Sequence, residues 1–215
     1  MIDLHLQKNN MTRQQLLENL KKHLPDASVD TCADWMMEHR IHFKVTRNRS
    51  TKIGDYRPPV HHPNHRISVN HNLNKFSFLI TFVHEVAHLT NWKKYQHRVS
   101  PHGAEWKHEF RTHLHPFLQQ EIFPNDVSTA LHLYMDNPAA STCTDKNLYR
   151  VLKRYDADSV HMLLETLPQG SLFKVKNYNN VFEKGECIRK NFLCIDINTK
   201  RQYKISPIAE VEVVG

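Results

Sequence analysis

The sequence predicts an α+β protein in two parts, with helices packed on a small antiparallel sheet in residues 1–138. Residues 139–215 follow with a short helix and then a small, all-β C-terminal module of antiparallel strands. Three observations support this prediction. Apolar residues recur at helical spacing through most of the first part, three short strand-like segments precede the longest helical pattern, and the period changes to short runs after Tyr155. At 40% hydrophobic residues, 215 residues can support a core.

The first predicted elements are two helices. Thr12 is a good N-cap, and Gln15 three residues later completes a capping-box pattern, so a helix begins there and runs to about Leu24. Pro25 ends it, and a second helix is predicted from about Ser28 to His39.

Three predicted strands follow, at Ile41–Arg47, Lys52–Arg57 and His65–Asn70. Between the second and third lies a loop rich in proline and histidine. Its His61 and His62 could bind metal together with His65, but Pro63 and the absence of helical spacing favour a surface loop.

The longest helical pattern is predicted to be an amphipathic helix over Phe76–Trp92. Its apolar stripe consists of Phe76, Leu79, Ile80, Val83, Ala87 and Thr90. His84 and His88 are four residues apart, so both side chains lie on one face of this helix. Two imidazoles in that position can bind one Zn²⁺, and Glu85 can act as a base on the water that the metal binds, as in the H-E-x-x-H arrangement of zinc peptidases.

A catalytic zinc needs a third protein ligand and one open position. His102 follows His88 after a loop long enough to turn back, and Gly103 is expected to allow a sharp backbone turn beside it. Glu105 is the rival third ligand. His108 and His113, by contrast, are five residues apart on the next helix and cannot share one metal.

The rest of the chain is predicted as helices over about Ala104–Ile122, Pro124–Met135 and Asp145–Tyr155, followed by short strands. The predicted strands are Leu172–Lys176, Val181–Phe182, Ile188–Arg189, Phe192–Ile197, Gln202–Ile205 and Val211–Val214.

Composition limits the class of protein. No stretch approaches eighteen apolar residues and no signal peptide is recognisable, so we expect a cytoplasmic protein without a membrane partner. The four cysteines are scattered, which is typical of reduced thiols. The net charge of +7 favours acidic partners, nucleic acid included.

Two of these motifs together resemble a known family. The run H-E-V-A-H-L-x-N at His84–Asn91, followed by H-G-A-E-W at His102–Trp106, is similar to the SprT-like metalloproteases, relatives of the DNA–protein crosslink protease Spartan. The similarity continues upstream through Thr46–Arg57 and Arg66–Asn70, and covers about Leu16–Met135. The resemblance implies a zincin-like fold with one catalytic Zn²⁺. It implies His84, His88 and His102 as the metal ligands and Glu85 as the catalytic base.

The sequence departs from the family after this region. Many SprT-like proteins carry a four-cysteine zinc ribbon there, which needs paired C-x-x-C knuckles. Here only Cys143, Cys187 and Cys194 occur, without such a pair. We therefore predict no structural zinc, a β module in the ribbon's place, and Cys187 and Cys194 in strands as small apolar residues.

The function predicted from the motifs and the resemblance is a zinc endopeptidase that hydrolyses peptide bonds with a Glu85-activated, metal-bound water. Its expected substrates are proteins or peptides associated with or crosslinked to DNA.

By analogy with zincins, His65–Asn70 is expected to be the edge strand that pairs with the substrate backbone. Five basic residues near the strands form either a cationic rim for nucleic acid or a solvated face: Arg47, Arg49, Lys52, Arg57 and Arg66. A zinc protease without nucleic-acid dependence, and a non-catalytic DNA-binding or adaptor protein, stay open. The sequence predicts no oligomeric state.

Overall fold

The computed structural model describes residues 2–4, 12–49, 51–60, 62–138, 145–157 and 162–214, the first of these ranges as backbone only. The chain has an α+β fold and divides into two compact units, residues 1–156 and 157–215. None of the helices in the described ranges has the length and apolar character needed to cross a membrane. Predictions that concern His61 and Cys143 lie outside the described residues.

The described residues of the first unit contain four strands and six α-helices, and all of them except β1, which was not predicted, lie close to the predicted positions. In chain order they are β1 (Ile2–Leu4), α1 (Arg13–Lys21), α2 (Val29–Glu38), β2 (His42–Thr46), β3 (Gly54–Arg57), β4 (Arg66–Asn70), α3 (Lys75–Tyr95), α4 (Ala104–Gln119), α5 (Asn125–Asp136) and α6 (Lys146–Lys153). The predicted capping box is present, because the Thr12 side chain accepts from the Gln15 backbone N–H and the Gln15 side chain accepts from that of Thr12.

The sheet of the first unit has the order β1-β2-β4-β3. Strand β4 lies between β2 and β3, and it pairs parallel with β2 and antiparallel with β3. The prediction of an antiparallel sheet was therefore wrong, because the chain places β3 outside β4 instead of beside β2. The same insertion makes β4 an interior strand, so the prediction of His65–Asn70 as the substrate-pairing edge was also wrong. The edge on that side is β3.

Helix α3 is the centre of the first unit's core. Every residue from Phe78 through Asn91 except the half-buried His88 is buried, so burial reaches every side of the helix and includes His84 and Glu85. The predicted helix is present and its apolar stripe is buried, but burial extends beyond one stripe, because α3 is enclosed by the sheet and by the neighbouring helices. The metal-ligand motif is thus built into the most buried element of the unit.

Helix α6 belongs to the first unit. Its Leu148, Val151 and Leu152 are part of the same hydrophobic core as α3. The Asn74 side chain, which caps α3, also donates to the Leu152 carbonyl (2.9 Å) and to Asp156 Oδ1 (2.7 Å). The units therefore divide after Asp156, later than the boundary predicted at residue 138.

The second unit contains a six-stranded antiparallel sheet with a small core of its own. Its strands are β5 (Met162–Leu163), β6 (Leu172–Val175), β7 (Val181–Ile188), β8 (Asn191–Asp196), β9 (Gln202–Ile205) and β10 (Glu210–Val213). Two predicted strands join into the single strand β7, which carries an irregularity between Lys184 and Cys187. Cys187 and Cys194 lie in strands as predicted, but only Cys194 is buried.

Candidate metal centre

Three histidines from two elements converge in the first unit. His84 and His88 lie one turn apart on α3, and His102 lies in the loop that leads into α4. The Nε2 atom of His84 is 3.2 Å from that of His88 and 3.2 Å from that of His102. The three ligand atoms lie within 4.8 Å of one another, and the group could hold a metal ion. The structure thus brings together the three predicted ligands, and Glu105 is not part of this group.

The loop that carries His102 turns differently from the expectation. The left-handed backbone is at His102 itself, with φ of 60°, whereas Gly103 has an ordinary φ of −69° and is the N-cap of α4. The glycine is needed for space, since a Cβ there would lie 3.0 Å from the Ser100 carbonyl and 3.2 Å from Glu105 Oε2. A non-glycine residue in this conformation stores strain, which is frequent at functional sites.

All three imidazoles are held neutral. Burial, with a smaller contribution from the neighbouring histidines, lowers the pKa of His84 to about 2. Burial and then His102 lower the pKa of His88 to about 3, and burial alone lowers that of His102. The neutral ring is the form that binds a metal ion, so the protein environment favours ligation over protonation.

Trp106 lies against all three ligand rings. Its ring centroid is 4.6 Å from that of His84, 5.3 Å from that of His88 and 4.7 Å from that of His102. Trp106 is fully buried and stacks on Phe110 on the same helix. The first turn of α4 therefore supports the ligand set from the core side.

Glu85 is a residue of α3, and its side chain points towards the edge strand β3. Only 6% of this residue is exposed. Its carboxylate accepts a hydrogen bond from the Tyr56 backbone N–H and lies directly against Gly54. A Cβ at Gly54 would meet Glu85 Oε1 and would lie 2.7 Å from Thr81 Cγ2. The absence of a side chain at Gly54 is what leaves room for the Glu85 carboxylate.

The charge state of Glu85 is set mainly by its burial. Burial, with a contribution from Asp55, raises the pKa of Glu85 to about 8, although Arg49, Lys52 and the Tyr56 N–H act in the opposite direction. A divalent cation nearby would favour the carboxylate. The pKa of the Glu85 carboxyl group thus lies near neutral pH, as general acid–base chemistry requires.

Tyr56, on the same edge strand, faces the histidines. Its ring is parallel to that of His88, with 6.5 Å between centroids, and its hydroxyl lies 2.9 Å from His65 Nδ1. Sequence reasoning did not assign Tyr56, Gly54 or Trp106 to the site. The alternation of β3 could have indicated that Gly54 and Tyr56 share a face, but only the strand order shows that this face adjoins α3.

The histidines of α4 have other roles. His113 Nε2 lies 3.1 Å from Thr90 Oγ1, and the nearly buried Glu109 forms an ion pair of 2.6 Å with Lys94. Among the described residues, the group that could hold a metal ion consists of His84, His88 and His102 and includes neither His108 nor His113.

Comparison with known proteins adds no assignment, since no protein-family model, curated protein or solved structure matches this chain.

Proposed function

We propose that this chain is a zinc-dependent endopeptidase with a zincin-like first unit. His84, His88 and His102 hold the ion and Glu85 acts as the base. The spacing of the ligand atoms carries the proposal. Zn–N bonds of 2.0–2.1 Å at tetrahedral angles separate two ligand nitrogens by about 3.3 Å. Both Nε2 separations from His84 are 3.2 Å.

The ligand chemistry supports zinc and a catalytic role. Three neutral histidines suit Zn²⁺ and leave one position open, which is typical of catalytic and not of structural sites. A bound zinc ion lowers the pKa of water and polarises a carbonyl group. A purely structural metal site has no use for a base, yet Glu85 is present and buried on the same helix as His84 and His88.

Glu85 is proposed to carry the proton. Its carboxylate takes the proton from the attacking water and delivers it to the amine that leaves when the peptide bond breaks. The Tyr56 N–H and the close approach of Gly54 orient the carboxylate for both transfers. Trp106 packs against all three histidine rings and Tyr56 lies parallel to that of His88, so both aromatic residues help to orient the ligands.

The edge strand β3 is proposed to bind the substrate. An extended peptide can add to an exposed sheet edge by backbone hydrogen bonds, so recognition depends little on side chains. Because β3 also supplies Gly54 and Tyr56, a peptide added to this edge passes directly beside Glu85.

The placement of Glu85 gives one prediction. We expect Gly54→Ala to lower turnover about 100-fold, because the new methyl group must displace the Glu85 carboxylate, and a displacement of about 1 Å has an effect of this size. Casein cleavage measures turnover, and elemental analysis should still find the metal, since no ligand changes. Unchanged turnover in a folded Gly54→Ala protein would contradict the role of this contact.

The proposal as a whole is tested by metal content. We expect one zinc per chain in the wild type and a substoichiometric amount in His102→Ala, with casein cleavage lost in parallel. The matched control is Glu105→Ala, which removes the rival ligand three residues away and should keep both zinc and cleavage. Zinc lost in Glu105→Ala and kept in His102→Ala would refute the ligand assignment. No zinc in the wild type would refute the proposed function.

We further propose that the substrates are proteins bound or crosslinked to DNA. The net charge of +7 and the resemblance to SprT-like proteases support this, and β3 recognition explains how diverse substrates could be cut. Cleavage of a DNA-bound protein should be stimulated by DNA. Cleavage independent of DNA would favour the second candidate, a zinc protease with no nucleic-acid partner. DNA binding without any cleavage would favour the adaptor.

A further inference from the structure

The sheet of the first unit has a second face, directed away from α3. Burial alternates along β2 and β4, where Phe43, Val45, Ile67 and Val69 are buried and face the core. The residues between them face outward, as do Asp55 and Arg57 on β3, because Gly54 and Tyr56 face α3. A groove of about 440 Å³ lies on this outward face.

The groove is lined mainly by basic and hydroxyl side chains. Its cationic residues are Lys44, Arg49, Arg57 and Arg66, and Thr46 and Ser68 contribute hydroxyls. The acidic residue among those that line the groove is Asp55. Asp55 is already paired with Lys52 (2.7 Å) and Arg57 (2.9 Å). The cations therefore outnumber the acids on this face.

The strand register places like charges side by side. Arg57 and Arg66 are directly opposite each other on β3 and β4. Like charges in that position destabilise a sheet unless an anion lies between or above them. The Arg66 Nε is also buried and has no hydrogen-bond partner among the described residues. A buried donor of this kind has a free-energy cost that a bound anion would remove.

The other end of the groove is held rigidly. Arg49 donates from Nε to Asn70 Oδ1 (2.8 Å) and from Nη1 to Ser68 Oγ (3.0 Å). Asn70 is fully buried and donates to the carbonyls of Arg49 and Lys52. The positive charge of Arg49 is thus fixed above β4, with little side-chain entropy left to lose on binding.

From this arrangement we propose that the outward face of the sheet binds the phosphodiester backbone of a nucleic acid strand. Cations stand at both ends of the groove, so a chain of phosphates satisfies them better than one isolated phosphate. Among the described residues the one aromatic ring that lines the groove is that of His42, which already packs against His62 with 5.6 Å between ring centroids. Contacts to phosphates therefore predominate over base stacking, and we expect binding to depend little on sequence. The site deepens the proposed function, on which its biological purpose rests, by giving the DNA partner a surface separate from the metal centre.

The test is the affinity of the metal-loaded full chain for a fluorescein-labelled 20-nucleotide single-stranded DNA, measured by anisotropy between 50 and 200 mM salt. We expect the double variant Lys44→Gln/Arg66→Gln to bind about tenfold more weakly. Its slope of log K against log salt should be smaller by about 1.4, because two phosphate contacts are lost and each contributes about 0.7 on a single strand. The melting temperature reports whether the variant is folded. If it is not, Lys44→Gln alone is measured, with an expected change in slope of about 0.7.

The matched control is Lys21→Gln/Lys22→Gln, which removes the same charge from exposed positions at the end of α1. An equal loss of affinity in this control would reduce the effect to net charge and overturn the proposal. Unchanged affinity in the groove variant would also overturn it. So would complete displacement of the oligonucleotide by inorganic phosphate alone, which would make the groove a single-phosphate site.

The outcome is separable from that of the proposed function. Binding is measured without cleavage, so groove-dependent DNA affinity in a protein that cleaves nothing supports the groove and refutes the peptidase. Cleavage without groove-dependent DNA affinity supports the peptidase and refutes the groove as a DNA-binding site.

Discussion

Glu85→Gln is expected to lower peptide-bond cleavage by about 10²- to 10⁴-fold while zinc stays bound, because the amide keeps the shape of the side chain but cannot accept the proton. The buried position against Gly54 and the Tyr56 N–H should tolerate an amide of the same size. The measurement is casein cleavage and elemental analysis on the same preparation. Loss of zinc would mean that Glu85 is needed to maintain the metal site. Retained cleavage would exclude Glu85 as the base.

The control for this substitution is Glu109→Gln. Glu109 is another nearly buried glutamate, on α4, and its ion pair with Lys94 has no part in the three-histidine group. Loss of this ion pair is expected to lower stability and to leave zinc in place. Comparing the two variants separates the effect of the proton acceptor from the general effect of removing a buried carboxylate.

Trp106→Ala is expected to have the largest effect on stability. Removing a fully buried tryptophan leaves a cavity and lowers the free energy of unfolding by about 3–5 kcal/mol. The same substitution removes the ring that contacts all three ligands, so zinc affinity should fall as well. Denaturant unfolding measures the first effect, and competition with a chelator of known affinity measures the second.

Phe117→Ala is the matched comparison. Phe117 is fully buried on the same helix but packs against Trp35, away from the ligand rings. We expect a similar loss of stability with the zinc affinity of the wild type. Equal zinc affinities in the two variants would show that Trp106 supports the fold and not the ligands.

The ligand pair of α3 was predictable because helix geometry alone fixes the relation of His84 and His88. The strand order was not, since pairing between β2 and β4 joins segments separated by β3, and the local pattern does not specify a partner. That non-local choice decides which strand is the edge. It also decides that Gly54 and Tyr56, and not a residue of β4, adjoin the site.

Two other features could not be predicted from the sequence, because they also depend on contacts that the local pattern does not specify. The apolar stripe on α3 could be predicted from the sequence. The polar residues on the rest of the helix suggested a solvent-exposed face, and only the tertiary packing encloses His84 and Glu85. In the loop before α4 the glycine was the obvious residue for an unusual backbone, yet the positive φ belongs to His102. Composition therefore does not reveal the left-handed backbone of His102, the proposed third ligand.

The burial of α3 on all sides has a consequence for how the protein matures. Two ligands and the base belong to an element whose position is set by apolar packing, so the binding site exists as soon as the first unit has folded. Zinc fingers, in contrast, acquire their fold from the ion. In the proposed site the cation would be a late addition to a finished scaffold. The proposed peptidase would then be synthesised and stored inert, and the supply of zinc would decide when it becomes active.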